Sequence, residues 1–166
     1  MKHPRRKRML SGLAALCLCL CLCLFLFLFL AATSASAVDV HSDPGPPSAE
    51  LAPVRALIKE KQFAKAVEAL HILERTNQTA DLYNLLGFSL RNLGEFERSA
   101  ENYRRALSLD PDHRSALEYQ GELFLQLGDV ARAQENLRRL VALCPQGCEE
   151  REDLELALRA AEAKAP

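Results

Sequence analysis

The feature that most constrains this chain is that it repeats itself. The segment ADLYNLLGFSLRNLGEFERSAENYRRALSLDPDH, residues 80–113, lies over RSALEYQGELFLQLGDVARAQENLRRLVALCPQG, residues 114–147, at an offset of 34 residues without a gap. Ten positions are identical, among them the pairs Gly87/Gly121, Gly94/Gly128 and Pro111/Pro145; unrelated segments would share about two, so this is an internal repeat. Within each copy apolar residues recur at steps of three and four with charges between them, the pattern of amphipathic helices. No alternating β-branched or aromatic run competes with it. Helices are expected near 50–60, 63–75, 80–92, 96–108, 114–126, 130–143 and 149–163. The fold class this gives is all-α, and no single helix pair has enough apolar partners to stand alone. Stacking successive pairs is what buries those faces.

Each recurring residue type has a physical reason. Gly87 and Gly121 lack a side chain, so the paired helix is expected to approach closely there. Gly94 and Gly128 stand where a helix ends and a left-handed residue is wanted. Glu95 and Asp129 then put negative charge at the next helix start. Pro111 and Pro145 stop the second helix of each pair.

Period and residues together resemble the tetratricopeptide repeat, whose pattern is W-x2-L-G-x2-Y, then A-x3-F, then P. The first full copy has Tyr83, Leu86, Gly87, Leu90, Ser99, Tyr103, Ala106 and Pro111. The second has Leu117, Gln120, Gly121, Phe124, Ala133, Leu137, Leu140 and Pro145. Gln120 departs from the usual leucine, so looser packing is expected around it. Upstream, Phe63, Ala66, Leu70 and Leu73 repeat the second-helix pattern, after a degenerate first helix that carries Pro53. The resemblance implies an α-solenoid of about three helix pairs plus a C-terminal capping helix. The repeats occupy 49–147, divided as a degenerate copy at 49–79 and full copies at 80–113 and 114–147; the cap and tail are 148–166.

The first 37 residues read as an address. A basic start, MKHPRRKR, precedes a long apolar run and then a small-residue stretch with Ala35-Ser36-Ala37 as an A-x-A cleavage site. The expectation is a signal peptide, residues 1–37, cleaved after Ala37. The 20-residue apolar stretch from Leu13 to Ala32 is also long enough to span a bilayer, so a retained anchor is the alternative. Either way the domain is expected outside the cytoplasm: periplasmic or secreted, or held in the inner membrane facing the periplasm, with membrane contact only through an uncleaved N-terminal segment. Residues 38–48, VDVHSDPGPPS, read as a flexible linker. Without residues 1–37 the chain has 16 basic and 22 acidic residues, a net charge of −6. That balance argues against nucleic acid as a partner.

Cys17, Cys19, Cys21 and Cys23 alternate with leucine in the apolar run and act there as small hydrophobes. Cys144 and Cys148 remain, flanking the turn between the last repeat and the cap helix. In an oxidising compartment the expected role is a disulfide that fixes the cap's angle, stabilising by about 2 kcal/mol for so short a loop. The other readings are free thiols or a thiol-redox or metal-handling site. The C-x3-C spacing is not the redox motif, and two thiolates do not complete a zinc site.

No G-x-S-x-G, H-E-x-x-H, P-loop or G-x-G-x-x-G occurs, so the expectation is no enzyme activity and no cofactor. Arg104-Arg105 and Arg138-Arg139 read as a solvated outer face paired with Glu101 and Glu135. Asn77-Gln78-Thr79 fits a glycosylation sequon and reads as a polar turn. What remains is binding. In the resembling proteins the first helix of each pair lines a concave groove that holds a peptide or protein, and here the groove positions are Arg55, Ile58, Asn84, Phe88, Arg91, Glu118, Glu122 and Leu125. Phe88 is expected to be an exposed aromatic contact or, as the alternative, to pack against the neighbouring copy's helix, and Glu118 with Glu122 an acidic patch suited to a basic partner. These residues do not reproduce the Lys/Asn/Arg set by which some members grip C-terminal carboxylates. The expected role is a non-catalytic protein-interaction scaffold or assembly factor, with a thiol-redox or metal-handling accessory factor as the alternative.

Overall fold

A computed structural model of the chain describes residues 49–163. The signal peptide with its cleavage site at Ala37, the linker at 38–48 and the last residues of the tail lie outside them. After a single 3-10 turn at Ala49–Leu51, seven α-helices follow: α1 Ala52–Lys59, α2 Phe63–Leu73, α3 Ala80–Asn92, α4 Phe96–Leu109, α5 Arg114–Gln126, α6 Val130–Leu143 and α7 Glu149–Glu162. No strand occurs among the described residues. None of these helices is long and apolar enough to cross a membrane. Successive helices pair as hairpins, α1 with α2, α3 with α4 and α5 with α6, and each hairpin packs on the next; α7 lies on both α5 and α6.

Sequence chemistry sets the ends. Pro53 occupies the first turn of α1, where its missing N–H costs nothing. The Thr79 hydroxyl accepts from Leu82 N–H and caps α3, while Asp129 accepts from Arg132 N–H and caps α6. Arg132 holds the Asp129 carboxyl below its usual range. Gly94 and Gly128 take φ of +79° and +77°. At each, the glycine N–H bonds to the carbonyl three residues back and the next N–H to the carbonyl five residues back, Glu95 to Leu90 and Asp129 to Phe124, a Schellman closure. The first hairpin makes the same pair of bonds, Lys61 to Ile58 and Gln62 to Leu57, but with Lys61 at φ +57° in the glycine's place.

The core runs along the stack in two clusters. Leu51, Val54, Ala66, Leu70, Leu82, Leu86, Ala106 and Ala116 fill the first, and Leu117, Phe124, Ala133, Leu140, Leu154 and Leu158 the second; the half-buried Leu107 packs against both. Gly87 does what was expected of it. A Cβ there would stand 2.6–3.0 Å from the ring of Tyr103, across the hairpin on α4. Gly121 differs from expectation: its nearest neighbour is Leu154 of α7, 2.7 Å from a Cβ placed on it. The space it leaves is taken by the capping helix instead of by its own hairpin partner. Around Gln120 the core is satisfied by polar contacts. The buried Asn136 donates through Nδ2 to Gln120 Oε1 at 3.0 Å and to the Leu117 carbonyl at 2.9 Å.

On the second helices the arginine pairs meet the glutamates. Arg104 and Arg105 engage Glu101, Arg138 engages Glu135, and Arg105 reaches Glu74 of the preceding hairpin at 3.3 Å. Arg139 departs from the pattern and donates to the Pro111 carbonyl.

Candidate functional site

Three first helices, α1, α3 and α5, supply the residues singled out from the sequence, and the stacking divides them into two groups. In the first, Arg55 on α1 pairs with Asp81 on α3 at 3.2 Å. Asp81 also accepts from His113 Nε2 at 3.0 Å. His113 Nδ1 accepts from Ala116 N–H and caps α5, which fixes the ring proton on Nε2. The hydrogen bond from His113, with the charge of Arg55 behind it, holds the Asp81 carboxyl below its ordinary value against the effect of burial. Arg55 is thus tied into a structural network between hairpins.

In the second group α3 and α5 come side by side. Arg91 crosses to Glu122, 2.5 Å from nitrogen to oxygen, and its side chain is only 8% exposed. The guanidinium lies 5.5 Å from the ring centre of Phe88 and 5.8 Å from that of Tyr119, within cation–π range of both. The two rings stand 4.9 Å apart, and Phe63 at the start of α2 meets Phe88 edge-on at 6.2 Å. Of the two readings of Phe88, the structure shows the packed one. Phe88 is half-buried, wedged between neighbouring hairpins, because an aromatic ring at this position reaches the adjacent helix before it reaches solvent.

Glu118 is 6% exposed and has no hydrogen-bond or ion-pair partner among the described residues. Burial, reinforced by Glu122 on its own helix and by Asp153 and Glu150 on α7, pushes its carboxyl up to about 8 in spite of Arg91. The neighbouring Tyr119 phenol is likewise pushed up by burial, to about 12. Asn84 occupies in α3 the place that Glu118 has in α5; it is 4% exposed, and its Oδ1 is buried without a partner. Ile58 and Leu125, half-buried, pack against the first and second core clusters respectively. One repeat beyond Glu122, at the corresponding place on α7, Leu156 stands exposed.

The sequence thus located Phe88, Arg91 and Glu122, which meet through Arg91, Glu118, one turn before Glu122 on α5, and Arg55, which does not join them. It missed Tyr119 and Phe63. The signal for Tyr119 was available: it follows Glu118 directly, one helix step from the column that carries Phe88. At the far end the Sγ atoms of Cys144 and Cys148 lie at bonding distance, 2.07 Å, with Cα atoms 6.0 Å apart. Cys144 closes α6 and Cys148 precedes α7. Arg151 of α7 donates back to the carbonyls of Cys144 and Pro145 at 3.4 and 3.3 Å. No cluster of three or more His, Cys, Asp or Glu suited to a metal ion occurs among the described residues.

Among curated proteins none matches the chain in sequence. Solved structures do match in fold. The translocator chaperone SycD of Yersinia enterocolitica superposes with a TM-score of 0.61 at 17% identity, covering 69% of this chain and 90% of that one. PcrH in complex with the chaperone-binding region of PopD gives 0.60 at 19% identity, with 69% and 90% covered. The TPR2B domain of yeast Sti1 in its pHsp70 complex gives 0.60 at 16% identity, with 68% and 92% covered. The family model described as Tetratricopeptide repeat matches residues 84–147. Residues 84–147, with their repeat of 34 residues and paired antiparallel helices, are thus similar to the tetratricopeptide repeat, and the chain shares its all-α helix-pair fold with these structures.

Proposed function

We propose that this domain is a non-catalytic scaffold or assembly factor that holds a protein or peptide on the face built by α1, α3 and α5, and that it works outside the cytoplasm, in the periplasm or envelope, after removal of residues 1–37. The observation that carries the reading is the group Phe88, Tyr119, Arg91, Glu118 and Glu122. Aromatic surface and ionisable groups converge where two first helices adjoin, next to buried polar atoms that lack partners. Two of the structures of similar fold are themselves complexes with a segment of another protein, which fits a peptide as occupant. The basic, apolar and small-residue segments that open the chain support export. In the same reading Cys144 and Cys148 form a disulfide that pins α7 to the last hairpin, and thiol titration before and after mild reduction separates this from a redox-active pair.

Site-specific photocrosslinking tests the face. A photoreactive residue at Leu156 is expected to capture a discrete partner, and one at Glu135, on the second helix of the third hairpin, to capture none. Phe88→Ala and Glu118→Lys are expected to abolish the Leu156 adduct. Capture from Glu135 alone, or capture indifferent to both substitutions, sinks this choice of face.

A further inference from the structure

Glu118 is a buried carboxyl without an ion-pair partner among the described residues, and the charges that act on it are nearly all of one sign. Glu122 stands on its own helix, Glu150 and Asp153 approach from α7, and Arg91 is the cation that reaches it from α3. That arginine is already committed to Glu122 and to the two rings. Arg114 spends its charge on Glu150, 3.9 Å away. Tyr119 follows Glu118 directly, and its tilted pair with Phe88 forms a surface that already accepts one guanidinium. What such a place lacks is a second cation on a flexible, partly apolar stem.

We infer that the face at Glu118 recognises a lysine or arginine side chain of the bound partner, the charged head meeting Glu118 and the stem lying along Tyr119 and Phe88. The inference rests on the proposed peptide-binding face and gives its occupant a chemistry. Charge complementarity carries it: an unpaired carboxyl flanked by three further carboxyls rejects an acidic side chain and is relieved by a basic one. Aromatic faces next to a carboxylate add cation–π attraction once the site is desolvated.

The inference carries a linked proton. In the free protein Glu118 holds its proton at neutral pH. A cation bound beside it favours the ionised form, so binding releases that proton and strengthens as pH rises from about 6 to about 8. Tyr119 stays protonated throughout that range.

The test uses the full chain in detergent micelles and a displayed library of random peptides. Enriched peptides are expected to carry lysine or arginine at one fixed position, and changing that residue to norleucine is expected to weaken binding about tenfold, the scale of one well-placed charge–charge contact. Glu118→Gln removes the preference, while Glu135→Gln on α6 leaves it intact. Calorimetry of an enriched peptide at pH 7 in two buffers of different ionisation enthalpy is expected to show release of up to about one proton, absent in Glu118→Gln. Enriched peptides without a basic preference but weakened by Phe88→Ala overturn the inference and leave the binding face standing. Peptides indifferent to both Phe88→Ala and Glu118→Gln, or no enrichment at all, overturn both. Self-association of the chain that Glu118→Lys abolishes assigns the face to a second copy and overturns the inference alone.

Discussion

The second and third hairpins share their spacing and much of their sequence, yet they close in different ways. In the second, Gly87 receives Tyr103 from the other helix of the same hairpin. In the third, the equivalent Gly121 receives Leu154 from the capping helix. One turn earlier on the same helices, Asn84 in the second hairpin becomes Glu118 in the third, and its carboxyl feels the charges of Glu150 and Asp153 of that same cap. The repeat therefore fixes where a cavity for a neighbour will be, while the neighbour that fills it depends on position in the stack. A central hairpin is finished from within; the terminal one is finished by α7, which contributes both its packing and much of its electrostatics.

If so, removing the packing of the cap should hurt most. Leu154 is fully buried against Gly121. Leu154→Ala is expected to cost about 3 kcal/mol in urea unfolding, the range for a leucine excised from a core. Hydrogen exchange should show the loss concentrated in α5 to α7, with α3 and α4 little changed. Uniform loss of protection over all hairpins would mean that the third is not dependent on its cap.

The glycines sharpen the contrast. Gly87→Ala drives a methyl group into a rigid, fully buried phenol ring and is expected to cost about 2 kcal/mol, as overpacking does. Gly121→Ala meets only the two methyl ends and the branch of a leucine, which swing aside more readily; its expected cost is about half as large. Tyr103→Leu, which installs the residue found at the matching place in the third copy, should recover part of the Gly87→Ala loss in a double-mutant cycle. Equal costs at the two glycines, or no coupling to Tyr103, break the distinction.

The polar side of the comparison makes a pH prediction. Glu118 titrates near 8 in the folded protein against 4.5 for an ordinary glutamate. Its folded value is raised, so the native state holds a proton that the unfolded chain has lost between those limits. The contribution of Glu118 to stability is therefore greatest below about 4.5 and declines as pH rises to about 8. Glu118→Gln, which cannot ionise, is expected to be more stable than the parent by about 1.5 kcal/mol at pH 8.5, after allowance for relaxation around the charge, and equal to it near pH 4. Asn84→Asp places the same acid in the second hairpin, away from the carboxyls of α7, and its raised value should be smaller. A pH-independent gain from Glu118→Gln would remove the acidic surroundings of Glu118 on which the basic-ligand inference stands.

These contrasts also mark how far the sequence could be read. Helix positions were legible to within two residues at nearly every end because periodicity, glycine closures and Pro111 and Pro145 are local signals. The convergence of Phe88, Arg91 and Glu122 was legible as a shared face, since residues one repeat apart stand in one column. The partner of Gly121 was not. Nothing local to Gly121 distinguishes an approach by α6 from one by α7, and the answer depends on there being no fourth hairpin to compete for the space among the described residues. Whether Phe88 stands exposed or packs on a neighbouring copy was not legible for a related reason. Its two covering rings, Phe63 and Tyr119, come from different hairpins, and a column drawn along first helices alone leaves out the start of α2.

The smallest effect tests whether the first hairpin obeys the rule of the other two. Its turn makes both Schellman bonds, so the backbone path is the same as at Gly94 and Gly128. Only the residue differs: Lys61 holds φ +57° with a Cβ that the left-handed region penalises. Its side chain is exposed, so replacing it removes no packing. Lys61→Gly is expected to stabilise the domain by about 1 kcal/mol, the left-handed penalty less the extra freedom glycine gives the unfolded chain. Gly94→Ala, at the same place one hairpin on, meets open space and should lose a similar amount through backbone strain alone. Opposite signs of similar size would make the three turns one device with an imperfect residue in the first. A loss from Lys61→Gly would mean that the lysine does more than occupy the turn, and would set the first hairpin apart from the other two.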